Sequence, residues 1–196
     1  RDSKRILLKL SGEALSGNFS QGIEFNTVRS IAADIRDIHA LGVQVAIMIG
    51  AGNIFRGNEG IKNGIDRVSA DYMGMLATVI NGIALEEALK KEGLEAVHVS
   101  AIEIKQIVDP FIRKKVLRYL DLGCVIIFSA GTGSPYFTTD TAAALRALEV
   151  GAEVILKATK VDGVFSDDPL RNKEAKKFQS ISYLEFIKKG LKVMDL

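Results

Sequence analysis

The chain has 196 residues, of which 47% are hydrophobic and 26% charged, and its formal net charge is +2. This composition is typical of a folded protein of one domain or two and gives no indication of a nucleic-acid partner. We expect no membrane span, because no uninterrupted apolar run is long enough, and no signal peptide, because too few apolar residues precede Lys9. The single cysteine, Cys124, excludes an internal disulfide framework and favours a cytoplasmic location.

The hydrophobic pattern predicts strands and helices in alternation. In chain order they are strand 4–10, a helix from Asn26 or Thr27 to about 41, strand 43–49, helix 67–91, strand 95–100, a helix from Asp109-Pro110 to about 122, strand 124–130, helix 141–149, strand 153–158, a short extended piece 161–165 and helix 182–188. Continuous apolar strands in such an alternation are typical of an α/β protein. We expect a three-layer αβα sandwich with a mostly parallel central sheet.

The segment 131–140 lies between a predicted strand and a predicted helix, and its composition is unusual for a plain turn. Gly131 and Gly133 allow the backbone to approach a ligand closely. The hydroxyls of the segment and the N–H groups of the next helical turn suit phosphate oxygens. Thr139 or Asp140 is predicted to cap the helix, and the Asp140 carboxylate suits Mg²⁺. A ligand-binding loop is favoured, with a structural turn as the alternative.

Three further strand ends carry lysine, arginine, glycine, threonine or aspartate, at 9–12, 50–57 and 157–169. Ligands of parallel sheets bind outside the carboxyl ends of the strands. Phosphoryl transfer requires positioning and charge neutralisation, which these residue types supply. Taken singly, Lys9 and Arg56 could be surface residues and Asp71 a solvated acid on its helix. Together the four loops predict a phosphate and Mg²⁺ site.

Two common nucleotide motifs are absent. The chain has no G-x-x-x-x-G-K-[ST], which excludes a P-loop enzyme. The pattern G-x-G-x-x-G also fails at Gly50 and at Gly131, because the third glycine is missing in both runs. A Rossmann dehydrogenase is therefore disfavoured.

These loops resemble the amino acid kinase family and, within it, the bacterial UMP kinases. The stretches that carry the resemblance are 9–15, 49–57, 67–78, 130–140, 156–169 and 192–195. The helix 67–78 with Asp71 and the loop 131–140 are specific to the UMP kinases, whereas 157–169 is shared more widely and supports only the superfamily. The resemblance implies the amino acid kinase-like fold and Mg²⁺-dependent transfer of the ATP γ-phosphoryl group to UMP, giving UDP and ADP in pyrimidine nucleotide biosynthesis.

The resemblance also implies roles for individual residues. Those implied to hold ATP are Lys9, Leu10, Ser11, Gly12, Gly52, Arg56, Thr159, Phe165 and Asp168. Those implied to hold UMP are Ala51, Asp71, Thr132, Gly133, Ser134, Pro135, Tyr136, Phe137, Thr138 and Thr139, with Asp71 on the ribose hydroxyls. Those implied to be catalytic are Lys9, Arg56, Asp140 and Asp195, the two aspartates organising lysines and Mg²⁺. No protein side chain is assigned as a metal ligand, because the phosphates would hold Mg²⁺, and no general base is expected.

At the level of assembly the resemblance implies a homohexamer that GTP activates and UTP inhibits. The implied effector loop comprises Gly17, Asn18, Phe19, Ser20, Gln21 and Gly22. Two departures stand out: Ala51 occupies a position where the family usually has glycine, and the chain stops at Leu196, where the family continues into a further helix and strand. We therefore expect residues 1–196 to form a single domain that lacks this C-terminal helix and strand.

Two rival functions remain open. A family kinase with a carboxylate acceptor, such as an acetylglutamate or aspartate kinase, is disfavoured by the Asp71 helix and by the run 138–140. A catalytically silent nucleotide sensor is disfavoured by the joint presence of Lys9, Arg56 and Asp140.

Overall fold

The computed structural model describes residues 4–159, 163–169 and 171–191. The chain divides into two compact units, Arg1–Ala158 and Thr159–Leu196. The expectation of one domain over residues 1–196 stays a prediction.

The first unit is built on a six-stranded sheet in which neighbouring strands are parallel. The strands are β1 (Arg5–Leu10), β2 (Gln44–Ile49), β3 (Ala96–Ser100), β4 (Asp109–Pro110), β5 (Val125–Ser129) and β6 (Val154–Ala158). Their order across the sheet is β4-β3-β5-β2-β1-β6. The prediction of a parallel sheet is confirmed, and the carboxyl ends of β1, β2, β5 and β6 lie side by side.

Helices cover both faces of this sheet. They are α1 (Phe25–Ala40), α2 (Gly57–Lys62), α3 (Arg67–Lys91), α4 (Arg113–Asp121) and α5 (Thr139–Val150), and the second unit contains α6 (Tyr183–Lys188). Alternate residues of β1 supply the two cores: Ile6 packs with α1 and α3, whereas Leu7 packs with α4 and α5. Full burial of one such side chain contributes about 1.5–3 kcal/mol, so both helical layers are firmly attached.

Helix α3 is the longest described helix. The Asp66 side chain caps it by accepting the Ser69 N–H at 3.1 Å. By length and composition α3 is apolar enough to cross a membrane, which the sequence analysis did not anticipate. In its most apolar 18-residue stretch, 44% is buried. This is weak evidence for a membrane span, because Leu85 and Leu89 of α3 belong to the core beneath β2 and β5, and core helices pass the same test.

Three local predictions were wrong. Asp109-Pro110 does not open a helix but pairs with Val99 and Ser100 as β4, because a residue before proline favours the extended conformation. Helix α4 begins only at Arg113. Glu24, and not Asn26 or Thr27, caps α1, since its carboxylate reaches two N–H groups of the first turn. Thr138, one residue before the predicted cap, caps α5.

The second unit contains little regular structure among its described residues. Helix α6 has a capping box, in which Ser182 and Glu185 each bind the other's backbone N–H. An isolated antiparallel bridge joins Phe165 to Lys177. Most of the predicted extended piece 161–165 lies outside the described residues.

Candidate active site

A buried carboxylate lies between two lysines at the carboxyl ends of β1 and β6. Asp140, in the first turn of α5, is 1% exposed. Its Oδ1 lies 3.0 Å from Lys9 Nζ and its Oδ2 lies 2.7 Å from Lys157 Nζ. A buried carboxylate is costly unless it is paired, which explains the two cations. Since two cations share one anion, the trio carries a net positive charge that suits phosphoryl oxygens.

The sequence analysis gave Lys157 no role, although its position carried a signal. Lys9 and Lys157 are directly opposite in the β1–β6 register, so their side chains lie on the same face of the sheet. In each strand the lysine is followed by one apolar residue and then by a hydroxyl residue, Ser11 or Thr159. This repeated triplet at two strand ends could have paired the lysines before the structure was known.

Two loops, one after β1 and one after β2, pack backbone against backbone. A Cβ atom on Gly12 would lie 2.5 Å from Gly52 N and 2.5 Å from Asn53 Oδ1, so the approach requires glycine. Gly50 N donates to Leu10 O at 2.8 Å. The predicted residues Leu10, Ser11, Gly12, Ala51 and Gly52 are therefore brought together.

A buried pair of amides supports these loops, and sequence reasoning missed it. The side chains of Asn53 and Asn81 bind each other in both directions, at 3.0 and 2.7 Å. Asn81 of α3 also donates to Gly50 O at 2.8 Å. Both residues are almost fully buried. The signal was a polar residue on the buried face of an apolar helix.

Arg56 lies beside the same loops. Its guanidinium forms an ion pair with the Glu13 carboxylate, and its Nε donates to Gly52 O at 3.4 Å. The side chain is about half exposed. Glu13 was not among the predicted site residues.

The loop 131–138 follows β5 and ends at the N-terminus of α5. Asp71 of α3 reaches it: Oδ2 accepts the Tyr136 N–H at 2.7 Å and the Arg67 Nε–H at 2.8 Å. The guanidinium of Arg67 lies 5.3 Å from the centre of the Tyr136 ring. The tip is open, since Tyr136 and Phe137 are exposed. Asp71 therefore lies at the loop that carries Thr132, Gly133, Ser134, Pro135, Thr138 and Thr139.

His98 lies beneath this loop. Its Nε2 is 2.8 Å from Ser129 Oγ, and its Nδ1 is 3.9 Å from the Glu86 carboxylate. Burial lowers the pKa of His98 to about 4. The ring is therefore neutral at pH 7 and pairs with the Ser129 hydroxyl.

The predicted effector loop 17–22 contacts the loop after β2 at one point. Gly22 N donates to Asn53 O at 2.7 Å, and Asn53 Nδ2 donates to Gly22 O at 2.8 Å. Phe19 in the middle of the segment is exposed. The segment is thus joined to the loop of Gly50 and Gly52 through Asn53.

The remaining predicted residues lie in the second unit. The Asp168 carboxylate lies 3.5 Å from Arg171 Nε, and Phe165 forms the bridge with Lys177. Thr159 directly follows β6. Asp195 and the rest of the stretch 192–195 lie outside the described residues.

Comparison with known proteins agrees with this geometry. A model of the amino acid kinase family matches residues 4–196. The chain belongs to the amino acid kinase family. Its fold is the one expected for that family, with helices on both faces of a parallel sheet.

Solved structures of UMP and uridylate kinases resemble the chain. The UMP kinase of Bacillus anthracis has a TM-score of 0.94 and 39% identity, over 100% of this chain and 81% of that one. The UMP kinase of Ureaplasma parvum also has a TM-score of 0.94 and 39% identity, over 100% and 83%. The uridylate kinase of Archaeoglobus fulgidus is more distant, with a TM-score of 0.72 and 28% identity over 97% and 81%.

Proposed function

We propose that this protein is a UMP kinase, which transfers the γ-phosphoryl group of ATP to UMP and releases UDP and ADP. The observation that carries the proposal is the Lys9–Asp140–Lys157 trio around the buried Asp140, at the carboxyl ends of β1 and β6 and at the N-terminus of α5. The similarity to two UMP kinases at 39% identity supports UMP as the acceptor.

The trio supplies what phosphoryl transfer needs. Charge spreads over the oxygens of the transferring group, so fixed cations stabilise the transition state. Asp140 holds the ammonium groups of Lys9 and Lys157 in place. Arg56 adds a third cation beside the loops after β1 and β2, here called the glycine loops. A phosphate acceptor is already an oxyanion at neutral pH, so the mechanism requires no general base.

The donor set fits Mg²⁺ that is bound mainly through nucleotide phosphates. Both oxygens of Asp140 contact lysines, and the described residues contain no group of three His, Cys, Asp or Glu placed to hold a metal. When bound to ATP, Mg²⁺ neutralises phosphate charge. The chain's own contribution is the positioning of Lys9, Lys157 and Arg56 around those phosphates.

On the acceptor side we assign UMP to the loop 131–138 and to Asp71. The loop ends at the N-terminus of α5, whose free backbone N–H groups can donate to the phosphate of UMP. Asp71 has its Oδ2 on Tyr136 N and Arg67, and its carboxylate can accept hydrogen bonds from ribose hydroxyls. On the ATP side we assign Thr159, Phe165 and Asp168, and Asp195 stays a catalytic assignment.

The experiment is ADP release with Mg-ATP and, in parallel, UMP, CMP, acetylglutamate or aspartate, with an acceptor-free reaction as the background. We expect turnover with UMP. Turnover with acetylglutamate or aspartate alone would overturn the UMP assignment and retain the ATP assignment. Silence with all four acceptors, together with measurable UMP or UTP binding, would favour the sensor.

We also propose that the protein is a cytoplasmic homohexamer that GTP activates through the segment 17–22 and that UTP inhibits. Self-association is supported by the exposed apolar side chains along α3, namely Tyr72, Met73, Leu76, Ile80 and Ile83. Light scattering at several protein concentrations tests the assembly. Phe19→Ala should weaken the GTP response, whereas Leu41→Ala, which truncates another exposed side chain, should not. An equal GTP response in both variants would remove the effector assignment.

A further inference from the structure

Two residues of uncommon backbone conformation belong to the acceptor loop (residues 131–138) and its immediate start: Ala130 directly precedes the loop, and Tyr136 lies within it. Ala130 has φ 59° and Tyr136 has φ 72°, and they are the non-glycine residues with positive φ in the described part of the chain. A side chain disfavours this left-handed region, so such residues persist only where the surroundings hold them. Gly131 and Gly133 between them also have positive φ, at 55° and 83°.

Both unusual residues donate their N–H groups to side chains of α3. Ala130 N donates to Thr78 Oγ1 at 2.7 Å, and Tyr136 N donates to Asp71 Oδ2 at 2.7 Å. Asp71 and Thr78 are seven positions apart, which is about two helical turns, so they lie on one face of α3. One helix therefore holds the loop at both Ala130 and Tyr136.

The Thr78 contact is shielded from water. Thr78 is 2% exposed and Ala130 is 0% exposed. The Thr78 hydroxyl donates to Met75 O at 2.6 Å, which directs its lone pairs toward the Ala130 N–H. Ala130 O in turn accepts the Gly133 N–H at 2.9 Å. Ala130 therefore sets the course of the loop, and water cannot readily replace the hydroxyl.

We propose that Thr78 is a positioning residue for the acceptor loop: it holds Ala130 in the left-handed conformation and so places the backbone of 131–138 for the acceptor. Thr78 acts on the loop through the Ala130 peptide. This inference rests on the proposed function, because the loop is taken to bind UMP.

The test compares two substitutions of similar size. Thr78→Val keeps the shape of the side chain and removes the acceptor, whereas Thr78→Ser keeps the hydroxyl. We expect Thr78→Val to lower kcat/KM for UMP about tenfold to a hundredfold, the usual consequence of leaving a buried donor unpaired. KM for ATP should stay unchanged, and Thr78→Ser should remain close to wild type.

Ala130→Gly supplies a second arm. Glycine adopts the left-handed conformation without the Cβ penalty, so the loop should depend less on Thr78. We expect Ala130→Gly to restore part of the UMP activity that Thr78→Val loses, and the two changes to be non-additive. Should Thr78→Val fail to fold, Thr78→Ala provides the same comparison.

Two outcomes would overturn the inference: wild-type kinetics in folded Thr78→Val, or an equal loss toward UMP and ATP, which marks a general structural role. Hydrogen exchange of the Ala130 amide separates this inference from the proposed function, since it needs no turnover. The amide should be protected in wild type and Thr78→Ser and should exchange faster in Thr78→Val. An unchanged exchange rate of the Ala130 amide in Thr78→Val would refute the positioning role of Thr78, whether or not UMP is the substrate.

Discussion

The glycine loops after β1 and β2 differ from the acceptor loop after β5 in what holds their backbones. The glycine loops touch because side chains are missing: Gly12 leaves room for Gly52 N and for the Asn53 amide. The acceptor loop contains alanine and tyrosine in left-handed conformations, and Thr78 and Asp71 hold it from α3. One arrangement depends on an absence of atoms, and the other depends on specific partners.

This difference has a consequence for substitution. A loop fixed by the close approach of two backbones tolerates no added side-chain atom at the contact. Glycines in the sequence therefore indicate where such a contact lies. A loop fixed by hydrogen bonds to a neighbouring helix can be weakened in steps, because each anchor contributes separately. The trio of Lys9, Asp140 and Lys157 lies where the two arrangements meet, since Asp140 follows the acceptor loop and Lys9 precedes the first glycine loop.

Asp140→Asn should have the largest effect, because it removes the charge that holds both lysines. We expect kcat to fall about a thousandfold, in the range found when transition-state electrostatics are lost, and UMP affinity to change far less. Turnover and calorimetric UMP binding measure the two quantities, and thermal unfolding checks that the variant folds. Asp37→Asn, which alters an exposed aspartate paired with Arg36, is the matched control. Equal losses of turnover and affinity would contradict this role for Asp140.

Gly12→Ala should break only the glycine loops. The added Cβ would force Gly52 N or Asn53 Oδ1 to move from 2.5 Å, and a displacement of about 1 Å near the chemistry costs about a hundredfold in rate. UMP affinity should be retained, because the acceptor loop is held from α3. Gly74→Ala is the control, since its Cβ would meet nothing within 4 Å. Full activity in Gly12→Ala would show that the contact between the loops is dispensable.

The order of strands and helices could be predicted because hydrophobic period and glycine position report it directly. The strand ends also drew attention to Lys9, Gly12, Arg56 and the acceptor loop. The short β4 could not be predicted, because two residues carry no period and Asp109-Pro110 resembles a helix start. Its extended pairing depends on Ser100 and Val99, which are close only in the fold.

The side chains that support the site were missed for a related reason. Thr78 and Asn81 lie in the apolar pattern of α3, and each becomes informative only when its partner, Ala130 or Gly50, is placed beside it. Lys157 became a partner of Asp140 through the β1–β6 register. Local propensity describes elements, whereas these contacts depend on which elements become neighbours.

Asp71→Ala should release the far end of the acceptor loop. We expect UMP binding to weaken about tenfold, since the Tyr136 N–H loses its charged acceptor and the ribose loses its partner. ATP affinity should be unaffected. Arg67→Met removes the ion pair with Asp71 and the guanidinium beside the Tyr136 ring but keeps the hydrogen bond from Tyr136 N to Asp71, so its effect should be smaller. Calorimetric UMP binding measures both variants, and an unchanged affinity in Asp71→Ala would refute the assignment of Asp71 to UMP.

Acid should destabilise the end of β5, just before the acceptor loop, by protonating His98. The ring contacts Ser129, which immediately precedes Ala130, and burial holds the pKa of His98 at about 4, below the ordinary 6.5. As the pH falls, the unfolded chain binds this proton before the folded chain does. The free energy of unfolding is therefore fully retained above about pH 6.5 and decreases as the pH falls toward 4. The loss of unfolding free energy should reach about 3 kcal/mol at the acid end.

Urea unfolding between about pH 7 and pH 4.5 measures this effect. His98→Gln should flatten the acid dependence, because an amide can accept or donate to Ser129 without titrating. His39→Gln is the control, since it removes the other histidine and leaves His98 in place. An identical acid dependence of the free energy of unfolding in wild type and His98→Gln would mean that carboxylates alone cause it. The His98–Ser129 contact would then be as insensitive to pH as the contacts between glycines.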